Sequence, residues 1–366
     1  MPGMLPQADI SLQQLSEALL DTDKPFPARF LYRFSDMEAA DLEKLGAIWP
    51  QLPLWRRQGL MEDIEELSSK DTLLDYVAFG RFALKDEDPK VRQLAVNTLW
   101  DYEQTDLIPT FLELIATDSE ADVRAAAAGG LARFVYAGEI EEIPQAKLKK
   151  IEEALLAALA DQETPIQVKR AALEALGYSS RDEIPGLIKT AFNSKDKKWM
   201  ASALFAMSRS ASAEWQPEVL SMLESNLPAL RMEAARAAGE LELTDAIPQL
   251  LELLDDTDEN TRQASIWSLS QIGGEGVQEA LEKLSEEAEE DELELLESAL
   301  DNLTFTQGGK LMPLYELPNE EQTGDELEDN DEDYFEDVDE ATDWYEEAGE
   351  FDDLEDLYDD EEELTD

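Results

Sequence analysis

The chain has neither cysteine nor histidine in its 366 residues. Without cysteine there is no disulfide and no thiolate nucleophile. Without either residue, Cys/His zinc sites, histidine–iron sites and every histidine-dependent triad are excluded. A cysteine-free chain suits a reducing compartment, and a cytoplasmic location is expected. Positive charge is scarce, with 29 Lys and Arg against 87 Asp and Glu for a net charge of −58. Such a field repels phosphate, so direct nucleic-acid binding is not expected. Basic partners, cations or plain solubility fit it better. No apolar run approaches the roughly 20 residues of a membrane helix, and no membrane partner is expected. The opening MPGMLPQADI lacks the basic and then apolar segments of a secretory signal. Hydrophobic residues nevertheless make up 43% of the chain, enough to bury a core in two or three domains or in one elongated array.

A repeat decides between these. Leu176, Met207, Ala238, Leu269 and Leu300 fall 31 residues apart as the last apolar position of successive helices, and Leu99 and Leu131 precede them at spacings of 32 and 45. The longer spacing marks an insertion of about a dozen residues around Val135–Lys147. Seven repeats then span roughly residues 72–304, and a period of this size signals a solenoid.

Each repeat reads as two helices. The first often opens on proline, as in IPTFLELI, IPGLIKTA, QPEVLSML and IPQLLELL, because a first-turn N–H has no intrahelical partner to lose. Ile247, Leu250, Leu251 and Leu254 then follow the i, i+3, i+4, i+7 pattern. An acidic turn such as DDTDEN caps the next helix, which is rich in alanine so that neighbours approach closely. Neither helix of a pair can bury its apolar face alone; stacking on the next pair solves this.

The stretches DPKVRQLAVNTLW, SEADVRAAAAGGLARF and DENTRQASIWSLSQIG resemble HEAT repeats, in particular the short repeats of phycobilisome-lyase-like proteins. The resemblance implies an all-α fold, a right-handed alpha-alpha superhelix of the HEAT/ARM solenoid type. Trp199-Met200 and Glu292-Leu293 depart from the Val-Arg pattern of the second helix. Residues 1–70 read as a divergent helical cap, with a Ser35/Glu38 capping box and a helix opening at Pro53. Residues 71–305 form the solenoid and 306–319 a linker. Residues 320–366 carry 27 acidic side chains and no Lys or Arg, the composition of a disordered tail. Tyr334, Phe335, Trp344, Tyr345, Phe351 and Tyr358 punctuate that tail, a pattern of segments that anchor on a partner.

Candidate sites follow from register and charge. Arg92, Arg124, Arg231 and Arg262 share one repeat position and read as a structural ladder bonding turn carboxylates or carbonyls. Glu174, Phe205, Arg236 and Trp267 share another, two residues before the last core position and about 200° around the helix from it. In HEAT arrays this position faces the concave surface, so the row reads as a partner-binding strip of hot-spot composition. Lys147 to Lys198 holds ten basic against eight acidic residues. Lys147, Lys149, Lys150, Lys169, Arg170, Lys195, Lys197 and Lys198 make it a basic patch for the tail or an acidic partner. Trp49 and Trp55 read as core residues closing the array. Asp255, Asp256, Asp258 and Glu259 read as caps rather than a cation site. Asp329, Asp331, Asp333 and Glu340 stand at calcium-loop offsets, but Tyr334 replaces the required glycine, so no metal site is expected.

The reading is a non-enzymatic scaffold that grips a protein or peptide on its concave face, with no cofactor and with an acidic tail that recruits a basic partner. One alternative, implied by the resemblance, is a bilin lyase or isomerase. Another is a polyanionic chaperone or nucleic-acid mimic for basic proteins. Deoxyhypusine hydroxylase, an iron enzyme built on similar repeats, needs His-Glu pairs that this chain lacks.

Overall fold

The computed structural model describes residues 10–71, 73–100, 102–286, 288 and 290–311. These residues are all-helical, with eighteen α-helices and, among them, no strand. They fall into two compact units that divide between Ala191 and Phe192.

In the N-terminal unit, α1 (Leu12–Leu20) is followed by α2 (Ala39–Ile48) and α3 (Leu54–Lys70). Then come α4 (Val77–Ala83), α5 (Pro89–Thr98), α6 (Ile108–Thr117), α7 (Ala121–Gly130), α8 (Ala132–Glu139), α9 (Gln145–Ala160), α10 (Ile166–Leu176) and α11 (Ile184–Phe192), which ends at the boundary. The C-terminal unit holds α12 (Lys197–Arg209), α13 (Gln216–Leu223), α14 (Pro228–Glu240), α15 (Ile247–Leu253), α16 (Glu259–Ile272), α17 (Val277–Ser285) and α18 (Glu290–Leu311). Second helices stack on second helices: α3 on α5, α5 on α7 and α7 on α10 in the first unit, then α12 on α14, α14 on α16 and α16 on α18 in the other.

The local signals act as the residues dictate. Prolines 109, 185, 217 and 248 occupy the first turns of α6, α11, α13 and α15. Asp88, Asp196 and Asp258 each accept a bond from the backbone N–H three residues on, capping α5, α12 and α16. Gly273, Gly274 and Gly276 take positive φ between α16 and α17, which only glycine does without strain. Leu131, Leu176, Met207, Ala238 and Leu269 are fully buried and Leu99 nearly so. The 31-residue register is therefore the register of the core.

Several expectations are corrected. Leu300 is only half-buried; α18 instead buries Leu296, Ala299 and Leu303, because it packs against α16 and α17 and no later described helix covers its other side. The insertion is a whole helix, α8, followed by a 16-residue α9 where first helices elsewhere in the array have seven to ten residues. The Ser35/Glu38 capping box does not form. The Ser35 hydroxyl accepts from the Asp75 N–H at 3.0 Å and no side chain caps α2; the capping box in this region is Ser11/Gln14 at the start of α1. Trp49 is buried, its indole N–H donating to Asp86, but Trp55 is 54% exposed and stacks on the Arg56 guanidinium at 4.7 Å.

Candidate functional site

Two sets of side chains recur along the second helices, one turned to the packing between pairs and one to the outside. The first begins at the fourth helical residue. Arg92 of α5 forms a two-pronged pair with Asp118 at 2.8 Å through Nε and Nη2, and Nη1 reaches the Asp86 and Glu87 carbonyls at 3.0 Å. Arg231 of α14 repeats this with Asp256 at 2.7 Å and the Ser225 carbonyl at 2.8 Å. Arg124 donates to the Ile115 carbonyl at 2.8 Å. Arg262 donates to the Asp256 carbonyl at 3.1 Å and stands 3.6 Å from Glu292.

Each acidic partner also accepts from a backbone N–H two residues on: Glu120 to Asp118 and Asp258 to Asp256. Burial pushes the Asp118 and Asp256 carboxyls up, but the arginine bonds and these N–H bonds outweigh it and hold both below the usual carboxylate range. The Asp118 bond in turn raises Arg92. The bonds described for these arginines run to the acidic turns and to the helix ends beside them, so the chemistry here is adhesion between pairs.

The second set lies one and a half turns further on. Phe205, Arg236 and Trp267 are all half-buried, on α12, α14 and α16 of the C-terminal unit. The Arg209 guanidinium lies over the Phe205 ring at 4.1 Å. The Trp267 ring lies against Gly239 of α14; a Cβ built there would come within 2.6 Å of it. Beneath it the Ser268 hydroxyl donates to the Ala235 carbonyl at 2.7 Å, fixing α16 on α14. Glu233, 2% exposed, and Glu240 share α14 with Arg236. One repeat on, the Asn302 amide reaches the Ser270 hydroxyl at 3.3 Å and its carbonyl at 3.4 Å. The strip thus brings together two aromatic rings and two guanidinium groups at one level of successive second helices. That set suits burial of a partner's side chains; it contains no nucleophile–base pair. Glu174, expected in the same row, lies in the other unit and is only 7% exposed, so it offers no docking surface.

Within the N-terminal unit the basic run is not one patch. Lys147, Lys149 and Lys150 sit in the first turns of α9, and Lys169 and Arg170 in the first turns of α10. These helices form an antiparallel hairpin, which places the two groups toward opposite ends, at a separation where salt at physiological strength screens their fields from each other. Lys147 donates to the Thr105 hydroxyl and Lys149 lies 3.8 Å from Glu153. Lys195, Lys197 and Lys198 belong to the C-terminal unit. The tail residues Tyr334, Phe335, Trp344, Tyr345, Phe351 and Tyr358, and the calcium-loop offsets, lie outside the described residues. Among the described residues no three Asp or Glu are grouped to hold a metal ion, and no helix is long and apolar enough to cross a membrane.

The family model for HEAT repeats matches residues 81–147, 184–270 and 217–301, together just over half of the chain. The chain belongs to the HEAT-repeat family. Among solved structures it is similar to human deoxyhypusine hydroxylase at 18% identity and a TM-score of 0.34, covering 73% of this chain and 96% of that one. Escherichia coli YibA follows at 17% identity and 0.39, covering 77% and 98%. An engineered protein stands at 18% and 0.34, covering 80% and 88%. Likenesses this distant carry no functional argument. No curated protein matches the sequence.

The HEAT register also exposes what the sequence reading missed. Counted from the helix cap, the fourth residue is Arg57, Arg92, Arg124, Lys169, Met200, Arg231 and Arg262 in successive second helices. Arg57 of the divergent cap behaves as the others do, with Nη1 2.7 Å from both Asp86 oxygens and Nη2 3.0 Å from Glu87. With α3 stacked on α5, the α2–α3 pair acts as one more HEAT-like repeat. The signal was available in Pro53 followed four residues on by Arg57. Where the arginine is lost at Met200, the acidic partner is lost too: Ser225 occupies the place that Asp256 takes one repeat later, its hydroxyl accepting from the Leu227 N–H at 3.2 Å.

Proposed function

We propose that this chain is a non-enzymatic interaction scaffold that binds a protein or peptide on the second-helix face of its C-terminal unit. The observation that carries this reading is the strip of Phe205, Arg236 and Trp267, three residues of interface-enriched character at one repeat position, each half-buried and so held in place while still reaching the surface. Half-burial matters because a side chain already immobilised by its own fold loses little further freedom on binding. The fixed seats of Trp267 on Gly239 and of Phe205 beneath Arg209 support it. In this reading the acidic tail contributes a long-range field that draws in a basic partner, and the strip then supplies the buried contacts. The tail acts at the level of encounter rate and salt dependence, the strip at the level of dissociation rate.

The test is differential capture from the native host with full-length protein, its Trp267→Ala and Arg236→Glu variants, and Trp55→Ala as a control on an exposed tryptophan of the N-terminal unit. The same partners are lost with both strip variants and retained with Trp55→Ala. Identical partner sets from all four proteins would refute the reading.

A further inference from the structure

The same strip matches a feature of the chain's own tail. Within residues 320–366 stand two copies of one short pattern, Asp333-Tyr334-Phe335-Glu336 and Asp343-Trp344-Tyr345-Glu346, a pair of aromatics between acids, ten residues apart. We infer that these two motifs dock in cis on the Phe205–Arg236–Trp267 strip, so that the tail covers the face on which a partner binds. The inference rests on the reading of that strip as the binding face and adds its regulation.

Three observations select this occupant and this place. The first is chemical. Trp267 and Phe205 present aromatic faces with Arg236 between them and Arg209 over Phe205, and each motif brings two aromatic rings flanked by carboxylates. Glu233 and Glu240 balance the two arginines locally, so the strip is close to neutral in a unit whose residues 192–311 carry 25 acidic and nine basic side chains. A tail with 27 acidic residues is repelled less there than over the acidic rest of the unit, and Lys195, Lys197 and Lys198 at the start of α12 draw it toward the helix that carries Phe205. The aromatic pairs then decide the position.

The second is reach. The described chain ends at Leu311 of α18, which packs on α16 within the same unit. Trp267 is level with the residue 31 positions on, Ser298, which is 13 residues or roughly 20 Å of helix back from Leu311. A flexible chain of the 23 residues from Leu311 to Tyr334 has a root-mean-square span of roughly 26 Å. It therefore reaches Trp267 without being stretched.

The third is spacing. Second helices pack roughly 8–10 Å apart, so Phe205 and Trp267, two steps apart, are separated by roughly 16–20 Å. The ten residues between the motifs span roughly 17 Å when flexible. Tyr334-Phe335 falls at Trp267 and Trp344-Tyr345 at Phe205, with Arg236 between them. Tethering supplies an effective concentration on the order of 1 mM, so even a dissociation constant of about 0.3 mM leaves roughly three quarters of the molecules closed.

Hydroxyl-radical footprinting of the full-length protein tests this, read by mass spectrometry at Trp267 and Phe205, with Trp55 and Trp100 as internal references. In a variant carrying Tyr334→Ser, Phe335→Ser, Trp344→Ser and Tyr345→Ser, oxidation of Trp267 and Phe205 rises about fourfold, the change that follows from losing a three-quarters-closed state. Trp55 and Trp100 do not change, and Trp215, buried in the same unit as the strip, stays protected, which shows that the fold is intact. The rise is the same at 1 µM and 10 µM protein (concentrations of roughly this order, far below the ~1 mM of the tether). Unchanged oxidation at Trp267 overturns the proposal, and so does a rise at Trp55 or Trp100 in its place. Protection that disappears on dilution overturns it in favour of a tail supplied by a second copy. Because footprinting involves no partner, its outcome is separate from that of the capture experiment. A tail-dependent footprint with unaltered capture by Trp267→Ala would leave the docking standing and remove the binding-face reading.

Discussion

Gly239 sets how closely α14 and α16 approach, and replacing it by alanine separates two opposing effects. Helix propensity alone favours the change, since alanine in a helix is better than glycine by up to about 1 kcal/mol. The added methyl group, however, would sit 2.6 Å from a Trp267 ring carbon, 2.7 Å from the Ser268 hydroxyl and 2.9 Å from the Ser268 Cα. The ring could swing away, but the Cα moves only if α16 moves, and with it the bond from Ser268 to the Ala235 carbonyl. Overpacking of this kind costs about 1–3 kcal/mol. Over most of that range it exceeds the propensity gain, so Gly239→Ala destabilises the protein by up to about 2 kcal/mol. Gly129 in α7 is the control: it is exposed, and a Cβ there meets no atom within 4 Å. Gly129→Ala therefore stabilises by about 0.4–1 kcal/mol through the unfolded chain. Urea unfolding followed by circular dichroism gives midpoints that move in opposite directions. A Gly239→Ala midpoint that rises as the Gly129→Ala midpoint does would refute the packing argument and with it the seat proposed for Trp267.

Three further expectations concern the ladder and the tryptophans. Arg231→Ala leaves Asp256, whose side chain is 9% exposed, without its two-pronged partner and lowers stability by about 2–3 kcal/mol, while the double change Met200→Arg with Ser225→Asp supplies the absent rung and adds up to about 1 kcal/mol; a double-mutant cycle in urea measures both. Asp118 and Asp256 have folded pKa values below their unfolded ones, so their contribution is fully present above the ordinary carboxylate range near pH 4 and is lost as pH falls through that range to the folded values; Asp256→Asn flattens the acid limb of the stability profile. Trp49→Phe removes the N–H that Asp86 accepts and costs about 1–3 kcal/mol, whereas Trp55→Ser, at an exposed site, shifts the midpoint by less than about 0.5 kcal/mol.

Periodicity was legible in the sequence wherever a side chain must be buried between two neighbours. Ala238 is enclosed by α12 and α16 and Leu269 by α14 and α18, and their spacing is the spacing of the pairs. Leu300 departs because burial at the end of a stack is one-sided, a property of its neighbours rather than of its own position. Proline and aspartate caps were legible because their effect is confined to one turn. The Ser35 capping box was not, since Ser35 is taken by Asp75, forty residues away. Arg57 hid in a segment without the Val-Arg signature, although its distance from the helix start carried the rung. The basic run misled for a geometric reason: the first turns of two antiparallel helices, here α9 and α10, lie at opposite ends of their hairpin. Trp49 and Trp55 look alike in sequence and differ in fate because Asp86 accepts the indole N–H of one, while the other finds only Arg56 at the surface. The strip at Phe205, Arg236 and Trp267 was legible in position, and its half-burial followed from small neighbours such as Gly239.

The most direct measurement of the central claim is comparative capture from the native host by the full-length protein and its Trp267→Ala variant, each alongside Trp55→Ala. If the second-helix strip is the binding face, the partners retained by the full-length protein and by Trp55→Ala are absent from Trp267→Ala. Recovery of the same partners in the same amounts by all three proteins would contradict it.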